Sequence, residues 1–178
     1  MAARRVEIPE HLDQAALARA VGRRLGDPAV PPDSTVNRAV PPVVWSDGGD
    51  EVLVHPASVR CLIRKDLLLV SVDLECDQTG RQTLVVPLAV GRARDQAGLV
   101  AVTDELPCGH DLLAGRWGVI LQDAVWNALL DIANTYATRL KKIPFAFSAG
   151  DGVLALRAAP ATELARMRSA VLKLRTPQ

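Results

Sequence analysis

Aromatic residues make up only 3% of the chain. That leaves few rings on which nucleic-acid bases would stack. Charge of one sign is equally missing: the formal net charge is +1, and arginines are spread among acids along the whole length. No broad field exists to concentrate a polyanion, so nucleic acid is not an expected partner. Long apolar runs are absent too, each being broken by a charge or a glycine well short of the roughly 20 residues a membrane helix needs. No membrane partner is expected. Met1 to Glu10 contains Arg4 and Arg5 but no apolar stretch follows, so neither a secretory nor a twin-arginine signal is read and a cytoplasmic location is expected. Cysteine is scarce and odd in number, Cys61, Cys76 and Cys108, which points to reduced thiols and not to a disulfide framework.

What is present is apolar enough to fold, with 49% hydrophobic residues over 178 positions. The expectation is one α+β domain over 1–178, interrupted by a proline-rich connector over 27–42. Before the connector, Leu12, Ala16, Leu17, Ala20, Val21 and Leu25 recur at helical spacing, predicting a helix over 10–25 with Pro9 in its first turn and Gly26 as its stop.

From Glu51 the period changes to two. Short strands are predicted at 52–55 and 59–64, separated by Pro56, followed by a long hairpin of 67–76 with 81–91. A three-residue loop, Gln78-Thr79-Gly80, with Gly80 left-handed, places Leu74 opposite Leu84, Val72 opposite Val86, Val70 opposite Leu88 and Leu68 opposite Val90. One face is then continuously apolar and the other carries Ser71, Asp73, Glu75 and Thr83. Pro87 cannot donate to a ladder, so an open edge is expected near it, and 99–103 reads as one more strand.

A long helix is predicted over 117–142. Trp117, Ile120, Leu121, Ala124, Val125, Ala128, Leu129, Ile132 and Tyr136 share one broad core-facing stripe. Val119, Trp126, Leu130, Ala133 and Ala137 form a second apolar seam, leaving polar residues only along Asp123, Asn127, Asp131, Asn134 and Thr138. A helix apolar on two sides must be covered twice, by its own chain or by a second subunit. A hairpin follows, 145–149 with 153–157 around a type I′ turn at Asp151-Gly152, which sets Phe147 against Leu156. Pro160 and Thr162 open a final helix with Leu164, Met167, Val171 and Leu174 as its seam. Its basic residues, Arg166, Arg168, Lys173 and Arg175, read as a solvated face. The fold class expected is therefore α+β: an antiparallel meander, a long central helix, a C-terminal hairpin and flanking terminal helices.

Chemistry is sparsely signalled. Pro107-Cys108-Gly109-His110-Asp111 groups a thiol, a base and a carboxylate in one loop, the types a thiol enzyme or small hydrolase uses. Adjacent loop residues seldom line up as nucleophile, base and orienter, so the competing reading is a turn with a small buried thiol and an aspartate opening a helix. No two cysteines are closer than 15 residues, which does not suit structural zinc. Asp123, Asn127 and Asp131 share a helix face but read as its solvated stripe. Gly48-Gly49 and Gly150-Asp151-Gly152 lie between strand-like runs and match no phosphate-binding pattern. No metal, no cofactor and no catalytic residue is expected.

The order helix, meander, long helix, short hairpin, helix resembles the type III secretion chaperone-like superfamily. The local likeness runs over 127–158, through Ala128-Leu-Leu-Asp-Ile-Ala-Asn134, Phe145-Ala-Phe147, Gly150-Asp-Gly152 and Val153-Leu-Ala-Leu-Arg157. The resemblance implies a non-enzymatic protein-binding or chaperone-like module, often dimeric, and transfers no catalytic residue. Its partners would be a second copy or a client protein, met through Val119, Trp126, Leu130, Ala133 and Ala137. A thiol enzyme predicts instead a cleft at Cys108 and His110. A ligand-binding protein predicts an apolar cavity between sheet and helix, reached from an open end.

Overall fold

The computed structural model describes residues 11–27, 29, 40–90, 101–102, 107–142 and 145–158. It is α+β, with two antiparallel sheets and two helices. The elements are β1 (His11–Asp13), α1 (Gln14–Gly26), β2 (Val43–Asp47), β3 (Asp50–Arg64), β4 (Leu67–Cys76), β5 (Gly80–Ala89), β6 (Ala101–Val102), α2 (Asp111–Arg139), β7 (Phe145–Gly150) and β8 (Val153–Ala158). Strand order is β2-β3-β4-β5-β6 in the larger sheet and β1-β8-β7 in the smaller. The final helix expected from Pro160 and most of the 27–42 connector lie outside the described residues. No helix among the described residues is long and apolar enough to cross a membrane.

The long hairpin forms with its faces as expected but its register slid by two. Val72 pairs with Leu84 and Leu74 with Gln82. The turn closes earlier than the glycine suggests, because the Thr79 N–H donates to the Cys76 carbonyl at 3.3 Å, while Gly80 takes its positive φ as the first residue of β5. A slip of two preserves the side-chain face where a slip of one would invert it. Leu68, Val70, Val72 and Leu74 therefore still join Leu84, Val86, Leu88 and Val90 on one wholly buried face. Val85 exchanges backbone hydrogen bonds with Cys108, at 2.8 and 2.9 Å. Odd-numbered residues of β5, Pro87 among them, thus direct their amide position toward that edge.

Three expectations need correction. Pro56 does not divide two strands: β3 is continuous, and residues 56–59 bulge opposite Val72, the register moving from His55↔Asp73 to Arg60↔Ser71. Ser58 makes this tolerable, its hydroxyl donating to the His55 carbonyl at 2.7 Å and accepting from the Asp73 N–H at 2.8 Å. Backbone groups taken out of the ladder are thereby satisfied. Helix α1 starts at Gln14, not at residue 10, because Asp13 is its cap, accepting from the Ala16 N–H at 2.7 Å. The three residues before it pair with β8. Helix α2 is longer at its start and shorter at its end than 117–142. Leu113 is fully buried one turn before Trp117 and extends the core stripe. At the other end Lys141 adopts φ +54, and the N–H groups of Lys141 and Lys142 reach back to Thr138 and Ala137. That is a Schellman stop made without glycine.

The turn Asp151-Gly152 sets Phe147 opposite Leu156, as expected. Gly48 and Gly49, both at positive φ, make the tight turn of the β2–β3 hairpin.

Candidate functional site

Each residue expected to carry the partner-binding seam has a definite place. Trp126 is 1% exposed, and Ala133 and Ala137 are completely buried. Leu130 is half-buried against the core, and Val119 stands 59% exposed. The two apolar stripes of α2 are thus not separate. Leu129 and the buried Gln122 lie between them, giving one arc about half the helix circumference wide, sheltered within the single chain. The polar stripe at Asp123, Asn127, Asn134 and Thr138 is exposed, as expected. Asp131 is ion-paired to Arg24, which ties α1 to α2.

The Cys108 loop does not assemble a triad. Cys108, His110 and Asp111 are all exposed. Cys108 is not the small buried thiol of the competing reading either; its backbone is pinned to Val85. His110 is the α2 cap residue without a side-chain capping bond, and Asp111 lies in the first turn. Its negative charge suits that helix end, and no hydrogen bond is found between the imidazole and the Asp111 carboxylate. Gly109 is the one position here that requires glycine, since a Cβ would lie 2.3 Å from Leu84 and 2.7 Å from the Thr83 carbonyl oxygen.

A cleft among the described residues lies elsewhere. It has a volume of about 660 Å³ and lies where the β2–β3 turn, the end of β4 and the first turns of α2 meet. Val44, Val52, Leu53, Leu112 and Trp117 supply its apolar lining. Asp50, Glu51, Glu75 and Asp77 supply four carboxylates, against one guanidinium from Arg116. Arg116 fastens the helix to the turn: Nε donates to Asp50 and Nη1 to Asp47, both at 2.7 Å. Those bonds push its pKa above the usual arginine value. The guanidinium also lies over the Trp117 ring, 5.1 Å from its centroid. Val44 and Leu112 are 59% and 46% exposed, so the apolar lining continues onto the open surface. Among the described residues no group of three or more histidine, cysteine or acidic side chains converges to hold a metal.

Beyond the cleft, the outer face of the sheet carries a polar network. Asp73 accepts from Thr83 at 2.7 Å and from Arg81 at 2.9 Å. Partial burial raises its pKa, but those two bonds and the charges of Arg81 and Arg60 outweigh it and hold the carboxyl below its usual value. His55 and Glu75 pair at 2.8 Å.

All three cysteines are thiols, in unlike settings. Cys61, buried under the sheet, is pushed up to about 12 by desolvation. Cys76 lines the cleft, and the Thr79 hydroxyl 3.3 Å from its sulfur lowers its pKa, against partial desolvation and the nearby Asp77 charge. At pH 8 a thiol with a pKa near 12 is ionised to only about 10⁻⁴. Native alkylation with iodoacetamide, read by peptide mass spectrometry, is therefore expected to label Cys76 while Cys61 stays unmodified until the chain is unfolded. Equal labelling rates at the two positions would contradict this burial.

Sequence reasoning missed this cleft because its walls are far apart in the chain. Arg116 is 66 and 69 residues from the two aspartates it bridges. The one local signal was the pair of carboxylates on either side of Gly48-Gly49, where a tight turn brings like charges together and calls for a cation between them. Comparison of the chain with protein-family models, with curated proteins and with solved structures gave no match.

Proposed function

We propose that this protein is a non-enzymatic, chaperone-like module that holds a segment of another polypeptide in the cleft between the β2–β3 turn and the start of α2. The observation that carries the reading is the continuity of that cleft with exposed apolar surface at Val44 and Leu112. A volume of about 660 Å³ suits a few side chains or one small ligand. Apolar groups standing in water beside it favour an occupant that runs past the cleft. Strand β2 adds to this, being the edge of its sheet among the described residues, and an edge strand can accept an extended chain by backbone pairing. The Trp126 seam gives no support for a partner surface, since the chain already shelters it, so a dimer through that seam is not part of the proposal.

Labelled ten-residue peptides of varied apolar content, titrated with the full chain and followed by fluorescence anisotropy, test the reading. A subset is expected to bind, and Val44→Asp and Leu112→Asp are each expected to weaken that binding at least tenfold. Both positions are exposed, so these changes should alter stability by no more than about 0.5 kcal/mol. The reading fails if no peptide binds, or if both variants bind like the parent.

A further inference from the structure

We infer that the occupant of the cleft is a basic, apolar polypeptide segment, with lysine or arginine side chains alternating with aliphatic ones. The inference rests on the polypeptide-binding reading above and names the chemistry of the partner.

The argument starts from segregation of charge. The chain as a whole is formally +1, yet the cleft lining has four carboxylates and one guanidinium. That guanidinium is already engaged by Asp50 and by Asp47 just outside the lining, so it neutralises none of the remaining acids. Glu75 leans on His55, and Glu51 takes only a long hydrogen bond, 3.4 Å, from the Ser46 hydroxyl. The sign of the cleft is therefore a local property, opposite to that of the whole molecule.

The distribution of these acids decides what kind of cation fits. They sit on β3, on the end of β4 and on the β4–β5 turn, and they do not converge on a point where a metal ion could be held. Carboxylates spread along a rim match positive charges that are themselves spread, at the spacing a polypeptide provides. The apolar lining at Val44, Val52, Leu53, Leu112 and Trp117 requires aliphatic groups between those charges. Charge complementarity of this kind acts on partner choice and association rate and weakens with salt. An acidic segment would meet like charge at Asp50, Glu51, Glu75 and Asp77.

Three labelled peptides of equal length and equal leucine content, carrying lysine, glutamine or glutamate at the alternate positions, separate the outcomes when titrated with the full chain. The lysine peptide is expected to bind at least tenfold tighter than the glutamine peptide, with the advantage falling as salt is raised from 50 to about 500 mM. The triple change Glu51→Gln, Glu75→Gln and Asp77→Asn is expected to abolish that advantage, bringing lysine-peptide and glutamine-peptide affinities together. Equal binding of the lysine and glutamine peptides overturns the inference but leaves the polypeptide-binding reading standing. Failure of all three peptides overturns both. Displacement of bound lysine peptide by the protein's own self-association, read by light scattering at rising concentration, would make a second copy the occupant and also overturn it.

Discussion

Trp126→Ala is expected to lower unfolding free energy by about 3–5 kcal/mol, the range for removing a large buried aromatic side chain. For a chain of this size that corresponds to roughly 6–20 °C in Tm. Trp126 is 1% exposed within one chain, so the loss should be independent of protein concentration. A seam covered by a second subunit would instead give a concentration-dependent Tm. Trp126→Phe is the informative companion. Among the described residues the indole N–H has no acceptor, so replacing the ring with phenylalanine removes an unsatisfied buried donor along with some volume. It should cost much less than alanine. Val119→Asp, on the same seam but exposed, should change stability by no more than about 0.5 kcal/mol. Similar losses at 119 and 126 would show that the seam is covered by something other than this chain.

Gly22→Ala and Gly115→Ala should have opposite signs. In a helix interior alanine is favoured over glycine by about 1 kcal/mol. At Gly115 a Cβ would meet nothing within 4 Å, so the variant should gain up to about that amount. At Gly22 the same atom would lie 2.4 Å from the Pro56 carbonyl oxygen, a backbone atom in the bulge of β3. Neither helix nor bulge can yield cheaply, because Leu17, Val21 and Leu25 are buried on the same face of α1. Overpacking of this kind costs typically 1–3 kcal/mol, which outweighs the propensity gain. Thermal unfolding followed by circular dichroism distinguishes the two. A stabilised Gly22→Ala would mean that α1 does not pack on the bulge as closely as described.

The sequence by itself determined the elements whose cause is local. Period-two alternation from 67 to 90 fixed which side chains of the hairpin enter the core, and that assignment survived a register slip because the side-chain period is two. Asp151-Gly152 fixed its turn and the Phe147–Leu156 pairing. Gly48-Gly49 fixed another turn, and the apolar spacing of 117–137 fixed a long helix.

Only the tertiary structure decided where long-range partners lie. Pro56 reads as a strand break, but the Ser58 hydroxyl repairs the backbone bonding around it. His11–Asp13 reads as helix, but β8, at least 140 residues later, offers it a ladder. Trp126 reads as part of a seam to be covered by its own chain or by a second subunit, and one-dimensional spacing cannot say how far the rest of the chain wraps round a helix. The cleft belongs to the same class. Its acids and apolar groups are individually ordinary in sequence, and they face one another only because the Arg116 pairs hold the β2–β3 turn against the start of α2. Packing between distant segments carries no local period, so no pattern along the chain could have announced it.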